Sequence, residues 1–368
     1  MVNSSLLFQP IKLGANQLQH RVVLCPLTRL RADKAFVPVP IMAEYYKQRS
    51  TPGGLLISEA TMISPTAGAY VGAPGIYTDE QVQGWKKVTD AVHEKGGVIY
   101  LQLWHVGRAS SSKLLPNNMT PVSASAIAIQ GKNMAGDDYE VPHALTKEEI
   151  KGVIQDYAKA AERAIEAGFD GVEIHGANGY LIDQFTNTSS NKRTDEYGGS
   201  IENRTRFCLE VVDAVSKAIG DERTGIRLSP WSEFQDMADE TPYETWGYIT
   251  EQLQANHPNL AYLHYIEPRD DFSRKTQNDT VNSLDPFRKL WKGAFISAGG
   301  YTTNPQLGEK IANETGNLIA YGRTFIANPD LVERLRNGWP LTPYNRKTFY
   351  TQGAEGYTDY PFYADNKL

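Results

Sequence analysis

The chain has 368 residues, 40% of them hydrophobic, and 37 basic against 43 acidic side chains give a formal net charge of −6. That balance offers no basic face for nucleic acid, and no run of about 18 uncharged apolar residues offers a membrane span. The 2 cysteines, Cys25 and Cys208, are too few for a disulfide framework or a zinc site, so no metal is expected and a reducing compartment, the cytoplasm, fits. The first residues lack the basic patch and apolar stretch of a signal peptide. The closing Asn366-Lys367-Leu368 stands one residue from a peroxisomal address and is read as chance.

Eight short apolar runs organise the chain: residues 22–24, 55–58, 98–103, 171–174, 225–228, 261–266, 294–297 and 318–321. Short runs alternating with longer amphipathic segments predict repeated βα units and a parallel sheet. Eight such units favour a closed (β/α)8 TIM barrel, an α/β fold that spans 1–368 as one domain. Several helices have readable ends. Thr146 with Glu149 forms a capping-box pattern, and Ile150, Val153, Ile154, Tyr157, Ala158, Ala161 and Ile165 then recur at helical spacing before Gly168. Thr241 with Glu244 repeats the box around Pro242, and Asn304 and Asn328 precede prolines as further starts, the latter helix ending at Gly338. Residues 108–142 are the exception. Rich in Ser, Asn and Gly and without helical periodicity, they predict an excursion on the loop face, with a short hairpin capping part of a pocket.

Chemistry-bearing residues gather just after the apolar runs, at the carboxyl ends of the predicted strands, where barrels carry their sites. The densest segment runs from Gly171 to Tyr180. Its strand is expected to pass into a loop carrying His175, Asn178 and Tyr180, with Gly176 and Gly179 permitting unusual backbone angles. His175 and Asn178 can both donate to one oxygen, and Tyr180, a phenol of ordinary pKa near ~10, can deliver a proton at neutral pH. Asn178 and Tyr180 are two apart, so an extended chain would turn both side chains to one side. Arg227 interrupts an apolar strand; pointed inward, its guanidinium needs an anionic partner, either a bound ligand or a core carboxylate. Gln102 on the third run can donate and accept. Gly299-Gly300 after the seventh run and Gly322-Arg323 after the eighth occupy the loops that hold phosphate in barrels. Neither a Gly-X-Gly-X-X-Gly fingerprint nor a P-loop is present, which favours a mononucleotide over a dinucleotide as resident cofactor.

The run His175-Gly-Ala-Asn178-Gly-Tyr180-Leu-Ile-Asp-Gln-Phe185, followed by Arg193-Thr-Asp-Glu-Tyr-Gly-Gly-Ser-Ile-Glu-Asn-Arg204, resembles the signature of the old yellow enzymes. Pro26-Leu27-Thr28-Arg29, Leu101-Gln102-Leu103-Trp104-His105-Val106-Gly107-Arg108 and Gly322-Arg323 agree in order and spacing, and the resemblance extends from about Leu6 to Tyr360, with fungal members most similar. It implies an NADPH dehydrogenase or enoate reductase holding FMN tightly but non-covalently, with NADPH preferred to NADH as reductant. It further implies that Pro26, Leu27, Thr28, Ala60, Gln102, His175, Arg227, Gly299, Gly300, Gly322 and Arg323 bind FMN. Thr28 would bond the flavin C4 carbonyl, where some bacterial relatives have cysteine, and Arg227 would face the N1 and C2 carbonyl side. Cys25 is then read as packing rather than redox chemistry. Tyr70, Trp104, Phe272 and Tyr350 would line the substrate pocket. His175 and Asn178 would hold the carbonyl of an α,β-unsaturated compound, nitroalkene or quinone, while Tyr180 protonates the α-carbon. Partners are thus small electrophilic alkenes, for a monomer or homodimer. A flavin-dependent isomerase or oxidase and a non-catalytic flavin-binding protein are the alternatives; Tyr180 argues against the isomerase, and the non-catalytic protein predicts a bound chromophore but no turnover with NADPH and an enone.

Overall fold

The computed structural model describes residues 4–68, 70–268 and 281–363. Among them, eight parallel strands close on one another: β1 (Val22–Leu24), β2 (Leu55–Ile57), β3 (Val98–Trp104), β4 (Gly171–Gly176), β5 (Thr224–Leu228), β6 (Tyr262–Ile266), β7 (Phe295–Ala298) and β8 (Leu318–Tyr321). Each strand hydrogen-bonds to the next, and β8 returns to β1 through Tyr321 opposite Leu24, which completes a (β/α)8 barrel. Helices α1 (Pro40–Arg49), α2 (Asp79–His93), α3 (Lys147–Glu166), α4 (Ile201–Ile219), α5 (Pro242–Asn256), α6 (Asp285–Leu290), α7 (Pro305–Thr315) and α8 (Leu331–Asn337) follow the strands in turn.

Strand alternation divides the core in two. Leu24, Leu56, Leu101, Ile174, Ile226, Leu263 and Ile319 face outward into a layer shared with the helices. Their neighbours Val23, Leu55, Ile57, Tyr100, Tyr262, Ile296, Ala298, Leu318 and Ala320 fill the barrel itself. A ribbon of Ile11–Leu13 against Asn16–Leu18 packs Leu13 and Leu18 against this inner cluster. Each such buried aliphatic side chain contributes about 1.5–3 kcal/mol, so the two layers together hold the strands in one register.

Local signals held where neighbours left them free. Thr146 and Glu149 make the capping box reciprocally, Asn304 caps Leu307 N–H, and Gly338 closes α8 in the left-handed region at φ 66°. Elsewhere tertiary contacts won. Thr241 makes no cap, because its hydroxyl turns to Asp239 and Thr245. Asn328 spends its amide on the carbonyls of Thr324 and Thr342, so α8 begins only at Leu331. The buried stripe of α3 ends on Ala160, Ala161 and Ala164 rather than on Ala158 and Ile165.

The stretch between β3 and α3 contains the 3-10 turns Gly107–Ala109, Ser112–Leu114 and Pro116–Asn118. The expected hairpin reduces to a single antiparallel bridge between Lys132 and Asp138, while Val122–Ser123 pairs in parallel with His143–Ala144. The tip, residues 131–138, carries only Met134 and Ala135 as apolar side chains, and Met134 is exposed, so little burial sustains longer pairing. No helix among the described residues is long and apolar enough to cross a membrane.

Candidate active site

The barrel interior is apolar on one side only. Strands β7, β8, β1 and β2 send in Ile296, Ala298, Leu318, Ala320, Val23, Leu55 and Ile57, joined by Cys25 just past β1. Register then aligns Gln102 with Glu173, and His175 with Arg227 and His264, across β3 to β6. Burying such polar groups costs free energy unless each finds a hydrogen-bond or charge partner.

His175 lies inside β4, which runs on to Gly176 because pairing with β5 persists to Leu228; it does not sit in the following loop as expected. It is buried, and its Nδ1 has no partner. Burial above all, then the charges of Arg227 and His264, push its pKa well below the usual histidine value, so the ring is neutral at pH 7. Arg227 does point inward. Its Nη2 donates to Cys25 Sγ at 3.6 Å and its Nε has no partner. Among the described residues it makes no ion pair, which disposes of the core-carboxylate alternative. Cys25 therefore touches the guanidinium as well as packing.

The expected extended chain from Asn178 to Tyr180 is corrected. Asn178 adopts φ 60° and Gly179 φ 74°, a left-handed turn in which alternation does not apply. The strained asparagine is gripped at both ends: its N–H donates to Ser229 Oγ at 2.9 Å and its carbonyl accepts from Gln235 Nε2 at 3.0 Å. Its side-chain Oδ1 is buried without a partner. A Cβ on Gly179 would stand 2.8 Å from the Phe234 carbonyl oxygen, so the turn requires glycine twice over.

Tyr180 caps a short helix, Leu181–Thr186, and its ring meets His175 and Trp104 edge-on, each at 5.0 Å between centroids. Tyr70 follows at 5.6 Å from Trp104. Burial first, then the neighbouring phenols of Tyr70, Tyr350 and Tyr139, raise the Tyr180 pKa well above its usual value. The phenol thus keeps its proton across the physiological range. Tyr350 is half exposed at the rim. It is brought there by a C-terminal strap whose carbonyls at Phe349 and Gly356 accept from Arg29 at 3.1 and 2.6 Å, with Arg31 also bonding Phe349 O at 2.7 Å.

The other candidates ring the same mouth. Thr28 and Leu27 are partly buried, and Pro26 and Ala60 are buried. Gln102 donates from Nε2 to Glu173 Oε1 at 2.8 Å. Ala298 pairs with Ala320, so the two glycine loops leave adjacent strands together. Gly299 and Gly300 hold φ 118° and 78°, and Arg323 lies over the Tyr344 ring at 5.8 Å. Phe272 lies outside the described residues, as does the Asn366–Leu368 ending.

Sequence reasoning passed over Glu173, His264, Tyr139, Ser229 and Gln235. For Glu173 and His264 a signal existed, the same one that exposed Arg227: an ionisable residue inside an apolar strand. Tyr139 belongs to the excursion, which Arg108 ties down by donating to the carbonyls of Ile127 and Gln235 at 2.9 Å each.

Residues 6–342 match the model of the "NADH:flavin oxidoreductase / NADH oxidase family". The flavin oxidoreductase hxnT of Emericella nidulans is 50% identical, covering 97% of both chains. A 12-oxophytodienoate reductase 1 of Oryza sativa subsp. japonica is also 50% identical, over 97% of this chain and 93% of its own length. Among solved structures, a morphinone reductase superposes with a TM-score of 0.91 at 43% identity, covering 100% of this chain and 99% of its own. A further morphinone reductase structure, in complex with tetrahydroNAD, has a TM-score of 0.89 at 44% identity over 97% of each chain.

Proposed function

The chain belongs to the NADH:flavin oxidoreductase / NADH oxidase family, that of the old yellow enzymes, and on that footing we propose that it is an FMN-dependent ene-reductase working at the polar half of the barrel mouth. Bound FMN would supply the redox chemistry, accepting hydride from a reduced nicotinamide nucleotide and passing it to an electron-poor alkene. The observation that carries this reading is the group of buried polar atoms without partners at one end of the barrel: Arg227 Nε, His175 Nδ1 and Asn178 Oδ1. Such groups cost about 1–3 kcal/mol each when left unpaired, and a polar ligand in the mouth is the natural answer to them.

In this reading Pro26, Leu27, Thr28, Ala60 and Gln102 hold the ring system on the β1 to β3 side. Arg227 supplies positive charge where the reduced ring is negative, and Gly299, Gly300, Gly322 and Arg323 hold the phosphate. His175, bordering the cofactor, and Asn178 donate to the substrate's carbonyl oxygen and stabilise charge developing there. Tyr180 gives up the proton. Trp104 backs the Tyr70 and Tyr180 rings, and Tyr350 closes the outer wall. Relatives named for 12-oxophytodienoate and morphinone, both oxo compounds, support a carbonyl as the activating group. We assign NADPH rather than NADH as the donor on the family resemblance.

Protein purified after expression with riboflavin is expected to release one FMN per chain on heating or acid treatment, identified by mass spectrometry. FAD, or no flavin, would remove the basis of the proposal. Phenolates, as carbonyl mimics, should bind and perturb the flavin spectrum. His175→Ala or Asn178→Ala should each weaken that binding by about 1.5–3 kcal/mol, the worth of a hydrogen bond to a charged group. Full affinity in both variants would take the pair out of the site.

A further inference from the structure

The barrel contains an acidic group that none of these roles uses. Glu173, fully buried on β4, accepts from Gln102 Nε2 at 2.8 Å and meets His264 Nδ1 at 2.7 Å. A carboxylate offers only lone pairs, so these contacts fix what faces it: the amide NH2 of Gln102 and an Nδ1–H on His264. The amide carbonyl of Gln102 is thereby turned away from Glu173, and His264 Nε2 is left as a buried lone pair without a partner. Burial, aided by Arg227, outweighs the pull of Glu173 and holds the His264 pKa below its usual value.

Register makes this contact informative. Glu173 is opposite Gly225, and Gly225 opposite Tyr262, whose ring packs where β5 has no side chain; the carboxylate reaches past β5 to His264 on β6. Two residues further along β5, Arg227 lies directly opposite His264. The guanidinium nevertheless turns to Cys25 Sγ, and among the described residues it makes no ion pair. In a low-dielectric interior an anion and a cation one strand layer apart attract strongly. Something must hold the anion elsewhere.

We propose that His264 is a positioning residue: by donating Nδ1–H to Glu173 it ties that carboxylate between β3 and β6, leaving the charge of Arg227 for the cofactor. The proposal rests on the FMN reading and concerns how the protein sets the flavin's reduction potential. His264 and Glu173 need not touch the flavin to do so.

The test is the two-electron midpoint potential of the FMN-loaded protein. In His264→Leu the carboxylate loses a donor and swings to Arg227. Reduced FMN should then lose affinity relative to oxidised FMN by roughly tenfold, a fall of about 30 mV. His264→Asn, whose amide N–H takes the place of Nδ1–H, should keep the wild-type potential. In Glu173→Gln/His264→Leu no anion remains to pair with Arg227, and the potential should return to the wild-type value or above. An unchanged potential in His264→Leu overturns the proposal. So does a double variant as low as the single one, which would mean a packing defect. Should His264→Leu not fold, His264→Asn is compared with His264→Gln, whose N–H falls at the Nε2 position instead; equal potentials in these two overturn it equally. Wild-type protein without FMN would end the cofactor reading itself, whereas flavin-loaded protein indifferent to residue 264 ends only this proposal.

Discussion

Tyr180→Phe should slow reoxidation of the reduced enzyme by 2-cyclohexenone by about 10²-fold or more, the scale of a positioned general acid, while leaving its reduction by NADPH nearly unchanged. The substitution keeps the ring, and with it the edge-on contacts to His175 and Trp104. Only the transferable proton is lost. Because burial and the surrounding phenols hold the wild-type pKa well above its usual value, the donor form is already saturated at neutral pH. The wild-type enone rate should therefore show no rise attributable to Tyr180 as pH falls from 8 to 6. Quinones, whose products can take protons from water, should be much less affected. Stopped-flow traces of each half-reaction, run with NADPH and with NADH, separate these effects and rank the donors, with NADPH expected to be faster. Equal enone rates in wild type and variant would assign the proton to water or to another side chain.

The second large effect is expected at Arg227. With no ion pair among the described residues, its charge is available to a bound anion. Arg227→Met should raise the FMN dissociation constant by roughly ten- to a hundredfold, from loss of a charged hydrogen bond worth about 1.5–3 kcal/mol. The reduced, more negative ring should suffer further, because removing one partner of a buried charge pair costs about 3 kcal/mol or more. That corresponds to a potential lower by about 60 mV. Arg227→Lys should recover little, since a point charge cannot reproduce the planar fork. If affinity and potential both stay at wild-type values in the Met variant, the arginine is structural.

Much of this site could be read before any coordinates. The eight strands were legible because each is a short apolar run buried on both faces, and 22–24 and 318–321 match the observed bounds of β1 and β8. Arg227 was legible as an ionisable residue that an apolar strand could not tolerate without a partner. Gly299-Gly300 after β7 and Gly322-Arg323 after β8 stood out as phosphate-site candidates because barrels commonly use those two loops for phosphate. Less visible was anything that depends on which of many equivalent partners a group meets. Every residue has a carbonyl, so nothing in the sequence says that the guanidinium groups of Arg29 and Arg31 donate to the carbonyls of Thr348, Phe349, Glu355 and Gly356 and thereby set Tyr350 at the rim. Thr241 reads as a helix cap as clearly as Thr146 does. Only the proximity of Asp239 diverts it.

Apolar periodicity and local turn chemistry act over a few residues, so the barrel and the residue types at its strand ends were already written in the chain. How those residues are oriented depends on contacts between segments far apart in the chain. Asn178 is held left-handed by Ser229 and Gln235, more than fifty positions away, and Gln102, Glu173 and His264 meet across separations of 71 and 91 residues. Such contacts follow from strand register, set by the packing of the two core layers as a whole.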